Sequence, residues 1–262
     1  MLTTNPFAAL AVVIPPAFLQ AYVALMIALV VAGTLFDIVH KGNAEYFFND
    51  WRKGKTKGTR KIGGGKIASL VLKSAVVDVL MSGEFCNSRR RIAHLLTMYG
   101  FAMYLIATVI MVFWYASPAA PTPRFLPMLW TVGALMACVG GYWFWFFIRV
   151  DVAAEGTSRF RVVRADLFVL SLLANATTAL IWAYAQFAGY RVLANIFLGI
   201  YVTATTVLFG SIPWSKFAHM FFKPAAALQK RLEQASGQWR NLPAAADKPA
   251  TFGRDRAQPR HY

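Results

Sequence analysis

The residues of this chain best suited to chemistry are its histidines, at positions 40, 94, 219 and 261. His40, His94 and His219 each stand where a long apolar run meets a Lys/Arg-rich stretch. They are therefore expected at a common depth despite their separation in sequence. His261 lies in a polar tail and is set aside. Two neutral imidazoles facing each other across a helical bundle supply the axial ligands of a b-type haem iron. Its propionates need cations at the same level, and Arg89, Arg90, Arg91, Lys216 and Lys223 are placed to provide them. Small residues beside the candidates (Gly100, Ala102 and Ala218) would let a flat macrocycle approach the backbone. The pairs His94–His219, His40–His94 and His40–His219 all satisfy this reasoning. An interfacial histidine bonded to water or backbone accounts for any one of them taken alone.

A quinone site would need hydrogen-bond donors beside an apolar slot. Tyr104, Tyr201 and Asn195 fall inside apolar runs and are the candidates. Asn175, Thr177, Thr178, Thr203, Thr205 and Thr206 share those runs. Threonine bonds its own helix backbone and asparagine joins helices, so packing is their expected role. Asp37 and Asp166 read as interfacial charges. Gly63-Gly64-Gly65 before Lys66 lacks the spacing of a phosphate loop and a preceding strand. Neither Cys86 nor Cys138 belongs to a CxxC, which excludes iron–sulfur clusters held by this chain and covalent haem attachment.

The elements that must position these residues follow from composition. Of 262 residues, 58% are hydrophobic and only 15% charged, with a net charge of +16. A soluble domain is about half apolar, so an ordinary cytosolic enzyme and a disordered chain are both excluded. A bilayer core about 30 Å thick requires roughly 20 apolar residues in a helix. Five stretches qualify: 16–39, 93–115, 125–149, 165–188 and 192–222, the last carrying Pro213 and expected to tilt or kink. The expected fold class is all-α, an integral membrane bundle of five transmembrane helices over residues 1–224. Residues 1–15 carry no Lys or Arg, so no cleaved signal peptide is expected. Neither half repeats the other, which argues against an inverted-repeat transporter.

Charge sets the orientation. Of 27 Lys and Arg residues, twelve fall in the 40–92 loop, four around the turn between spans three and four, and nine between Lys216 and Arg260. Arg124 and Arg191 alone occupy the opposite side. This places the N-terminus outside and the C-terminus in the cytoplasm of a bacterial inner membrane. Within the loop, Ile67, Leu70, Val71, Val77 and Met81 approximate a helical stripe over 67–81, interrupted by Ser74 and Asp78. It reads as an amphipathic helix on the membrane surface or under a partner protein. Lys53, Lys55, Lys57, Arg60 and Lys61 are the candidate docking residues for a soluble partner. Topology and attraction to anionic lipid account for the same charge without one, and no nucleic acid is expected. The cytoplasmic tail, 225–262, is expected to be disordered from about residue 237.

The segment EFCNSRRRIAHLLTMYGF (84–101), with its Arg, then His, then Gly-Phe, resembles the second helix of the nitrate reductase gamma-subunit family of membrane cytochromes b. PWSKFAHMFFKP (213–224) resembles that family's fifth-helix ending. The resemblance implies one haem b with His94 and His219 as axial ligands, and leaves His40 out. Two-haem members carry further histidines where this chain has Tyr104 and Tyr201, so the outer haem is not expected. VVDVLMSGEFC (76–86) and the Lys-rich loop are most similar to membrane subunits serving dissimilatory sulfur enzymes.

The resemblance thus implies a membrane electron-transfer subunit. It would pass electrons between a soluble cytoplasmic oxidoreductase, adenylylsulfate reductase, and the quinone pool. The alternative is a haem-free membrane anchor or scaffold for a soluble enzyme, which explains spans and charge equally well. A solute carrier ranks third, because nothing charged sits mid-membrane to bind substrate.

Overall fold

The structure, a computed structural model, describes residues 2–40, 49, 60, 62–83, 85, 87–150, 156–211 and 219–237. All regular elements among the described residues are helical. A short helix α1 (Pro6–Leu10) precedes α2 (Pro16–His40). Next, α3 (Gly64–Lys73) runs on into a π-helical turn (Ser74–Leu80), and α4 (Ser88–Trp114) follows. α5 (Phe125–Trp143) likewise continues as a π-helical turn (Phe144–Ile148). A 3-10 turn (Arg164–Asp166) leads into α6 (Leu167–Phe187), then α7 (Arg191–Gly210) and α8 (His219–Ser236).

Five helical segments are long and apolar enough to cross a bilayer: Pro16–Phe36, Ser88–Trp114, Phe125–Ile148, Leu167–Phe187 and Arg191–Gly210. The fifth differs from the expected 192–222. Its helix stops at Gly210, and His219 opens a separate helix. Glycine followed shortly by Pro213 is a helix stop, because glycine weakens the last turn and proline disfavours helix in the residue before it. Pro213 itself lies outside the described residues. The chain divides into two compact units, one of residues 1–35 with 92–217 and the other of 36–91 with 218–262.

In the first unit, α4 and α5 meet backbone to backbone. A Cβ added at Gly100 would lie 2.6 Å from the Ala137 nitrogen, and one at Gly140 would lie 2.6 Å from the Ala93 carbonyl. Small residues let helices approach in this way where lipid offers no hydrophobic drive. The space beside Gly100, expected to admit a macrocycle, is filled by α5. α6 and α7 pack most extensively, joined by a turn in which Gly189 adopts φ +78°, a conformation that favours glycine. Val139 and Val192, on outer faces, are 58% and 76% exposed, whereas Trp130 and Trp182 are almost wholly buried. An apolar exterior suits lipid as the solvent.

The short α1 folds back onto this bundle. The side-chain oxygen of Asn5 caps it, accepting from the N–H groups of Phe7 and Ala8. The Asn5 amide nitrogen donates to the Tyr115 carbonyl at 2.9 Å and to the Thr122 hydroxyl at 3.1 Å. Pro6 stands in the first turn, where its missing N–H costs nothing. Phe7 then seats its ring 5.9 Å from Trp130 and 5.5 Å from Trp182.

The second unit packs α8 against α3 and its π-helical turn. Arg231 on α8 makes a two-pronged ion pair with Asp78, donating from Nε and Nη2 to the two carboxylate oxygens. These bonds hold the Asp78 carboxyl below the usual carboxylate range, outweighing the burial that would raise it. The Arg91 Nε donates to the Met81 carbonyl at 2.8 Å, tying the end of the π turn to the first turn of α4. Helix covers Gly64–Leu80, across most of the stretch 67–81. Ser74 and Asp78, which interrupt its sequence stripe, are turned away from solvent: Ser74 is 3% exposed and Asp78 is paired. The tail expected to be disordered lies outside the described residues from residue 238 onward.

Candidate functional site

Two helices carry the same short pattern, Tyr104-x-x-x-Thr108 on α4 and Tyr201-x-x-x-Thr205 on α7. A four-residue step returns to the same helix face. Each threonine hydroxyl donates to the carbonyl of its tyrosine, at 2.8 Å on α4 and 2.7 Å on α7. The tyrosines meet inside the first unit, where the Tyr104 hydroxyl donates to that of Tyr201 at 2.8 Å. Trp182 of α6 stacks on Tyr201 at 5.5 Å, and Trp130 of α5 lies 5.4 Å from Tyr104. The Trp130 indole N–H donates to the Thr108 hydroxyl at 3.0 Å. Asn175 of α6 donates its amide to Thr205 at 2.6 Å, while its side-chain oxygen is buried without a partner. The result is a neutral polar cluster, built from four helices and walled by aromatic rings.

Such a cluster can donate and accept hydrogen bonds but offers neither a carboxylate nor a cation. An acceptor buried without a donor costs about 1–3 kcal/mol, so Asn175 is its one strained member. Tyr104 and Tyr201 are the expected candidates brought together here. Asn195 is not among them: it is exposed on the outer face of α7. The sequence reading passed over Thr108 and Trp182, placed Trp130 at the outer membrane interface, where it is instead buried, and assigned Asn175 and Thr205 to packing. The repeated Tyr-x-x-x-Thr spacing was the signal that groups them.

The remaining candidates are divided between the two units and the residues outside those described. His94 lies on α4 in the first unit, with its side chain exposed, and His219 opens α8 in the second. The side chain of His219 is outside the described residues, as are Lys216, Lys53, Lys55, Lys57 and Lys61. Arg60 donates its backbone N–H to the Ser236 carbonyl at 3.2 Å. Arg89 is exposed, whereas Arg90 and Arg91 are half-buried. Among the described residues, no group of three or more His, Cys, Asp or Glu is placed to hold a metal ion.

Where α5 gives way to α6, Arg149 organises the turn. Its guanidinium pairs with Asp166, each side chain 10% exposed. It also donates to the carbonyls of Arg159 and Arg161 and stacks 3.9 Å over the Trp145 ring. Asp166 is therefore the buried partner of a cation rather than a free interfacial charge.

Residues 3–239 of the chain match the model of a known family, citrate utilization protein B. The chain belongs to this family. It is 30% identical over 168 residues to citrate utilization protein B of Escherichia coli, a match covering 60% of this chain and 43% of that relative. The chain thus spans less than half the length of the relative it matches. No solved structure matches it.

Membership in the citrate utilization protein B family overturns the resemblance to nitrate reductase gamma subunits. The two motifs behind that resemblance are basic residues and a histidine at the end of an apolar run. Any span with a positively charged flank can produce that pattern. The b-haem electron-transfer role falls with the resemblance, as do the link to adenylylsulfate reductase, the quinone pool and sulfur metabolism. The haem-free anchor is not favoured by the family either. Tyr104 and Tyr201 remain as a structural pair without a quinone assigned to them, and the choice of His94 and His219 as a ligand pair loses the resemblance that made it.

Proposed function

We propose that the chain is a membrane-embedded component of citrate utilization, acting from the side of the bilayer where its basic segments collect, and is not itself a citrate carrier. The family match over residues 3–239 carries the reading. The positive-inside bias supports a cytoplasmic location for the basic segments, in a bacterial inner membrane with the N-terminus outside. Citrate carries three carboxylates and calls for arginine or lysine at its site. The interior cluster offers tyrosine, threonine, asparagine and tryptophan instead. These observations favour a role after citrate has entered the cell.

Deleting the gene in its host tests the reading. Growth on citrate as sole carbon source should be lost, growth on glucose retained, and uptake of labelled citrate unchanged. Undiminished growth on citrate would overturn the function, and loss of uptake would make the chain a carrier after all. Replacing Lys53, Lys55, Lys57, Arg60 and Lys61 together by glutamine should also abolish growth on citrate while the protein still accumulates in the membrane. If growth persists, those residues have no part in the function.

A further inference from the structure

The helix formed by α3 and its π-helical turn presents its apolar side outward. Leu72 is 66% exposed, Val71 45%, Val76 39% and Met81 50%. In a straight α-helix of 3.6 residues per turn, Asp78 would fall roughly 20° from Ile67, in the middle of the apolar stripe. The wider i→i+5 turn prevents this. The Met81 N–H donates to the Val76 carbonyl at 2.9 Å, five residues back. The extra residue in the turn rotates Asp78 to the Arg231 side and brings Val76 into line with Leu72. Polar groups thus face α8 and apolar groups face away, so the folding of this unit does not itself bury the stripe.

We propose that this stripe lies in the surface of an anionic lipid bilayer, making the Gly64–Leu80 helix an in-plane membrane element. Two further observations select lipid as the occupant. Lys66 and Lys73 are exposed along the same helix as the apolar residues. Apolar surface with lysine beside it is the combination that binds anionic interfaces. In addition, the Arg91 bond to the Met81 carbonyl fixes the helix end to the first turn of a membrane-spanning helix. That first turn carries Arg89 and Arg90, further basic residues in the same unit as the stripe. The inference needs the membrane spans but not the role in citrate utilization.

The test uses the full chain, with Cys86 and Cys138 replaced by alanine and a single Leu72→Cys labelled with an environment-sensitive fluorophore. The protein is placed in nanodiscs of phosphatidylcholine with phosphatidylglycerol. An interfacial helix sits about 5–10 Å into the headgroup boundary. Emission at Leu72→Cys should therefore shift to the blue and be quenched by doxyl groups placed high on the acyl chains. The same label at Gln234→Cys, on the exposed side of α8, should remain water-like. A water-like spectrum at Leu72→Cys would overturn the proposal. So would a shielded label that doxyl lipid does not quench, since protein would then cover the stripe. Quenching should weaken in pure phosphatidylcholine or with Lys66→Glu and Lys73→Glu. Equal quenching in every case would overturn the anionic part of the assignment.

Discussion

Thr205 and the two tyrosines show how a polar group is tolerated inside an apolar bundle, each bonded to a neighbour on another helix or to its own backbone, whereas Asn175 is bonded only through its amide nitrogen. Hydrogen bonds of this kind contribute little individually, on average about 0.6 kcal/mol in a membrane bundle. Tyr104→Phe removes one donor and keeps the ring against Trp130, so it should cost no more than about 1 kcal/mol. Gly100→Val drives a side chain into the Ala137 backbone, which α5 can accommodate only by moving away. Its cost should be about 3 kcal/mol or more. Thermal unfolding of the two variants in detergent checks the ranking, and equal stability would contradict the close α4–α5 contact. Tyr104 and Tyr201 were paired in the sequence only through the resemblance, as the positions where two-haem members carry histidines. Asn195 could not be separated from them by sequence, because an apolar helix does not reveal which face is turned inward until its partners are known.

At the scale of elements, the ion pair between the π-helical turn and α8 predicts a pH dependence. The folded Asp78 carboxyl titrates below its ordinary value because Arg231 favours the charged form. Its contribution is therefore complete above about pH 4, the unfolded value. It is lost as pH falls through the lower, folded value. Hydrogen exchange of α8 should accelerate in that acid window, and Asp78→Asn should abolish the step while raising exchange at neutral pH. The amphipathic helix was legible in outline but its faces were not, since period counting assumes one turn length throughout and the π turn changes it midway. The end of α7 at Gly210 was missed because the apolar run continues past it.

For the molecule as a whole, the five spans followed from composition because the bilayer imposes a length that few other environments demand. The family did not follow, because short basic motifs at helix ends recur wherever a span meets the cytoplasm. Orientation yields a direct prediction. In a background lacking Cys86 and Cys138, a membrane-impermeant maleimide should label Thr4→Cys in intact cells and Gln234→Cys only after permeabilisation. The reverse pattern would invert the topology and move the basic segments to the outer side.

The seating of Phe7 has a consequence for how the protein is made. The α1 segment is synthesised before α5 and α6, yet the Phe7 ring rests on Trp130 and Trp182, carried by those later helices. Until α6 has entered the membrane, this aromatic side chain has no complete seat. The order of synthesis is therefore the reverse of the order of closure: α1 can seat fully only once the helices that receive it exist. The aromatic seat of α1 is thus complete only when α5 and α6 are both in place.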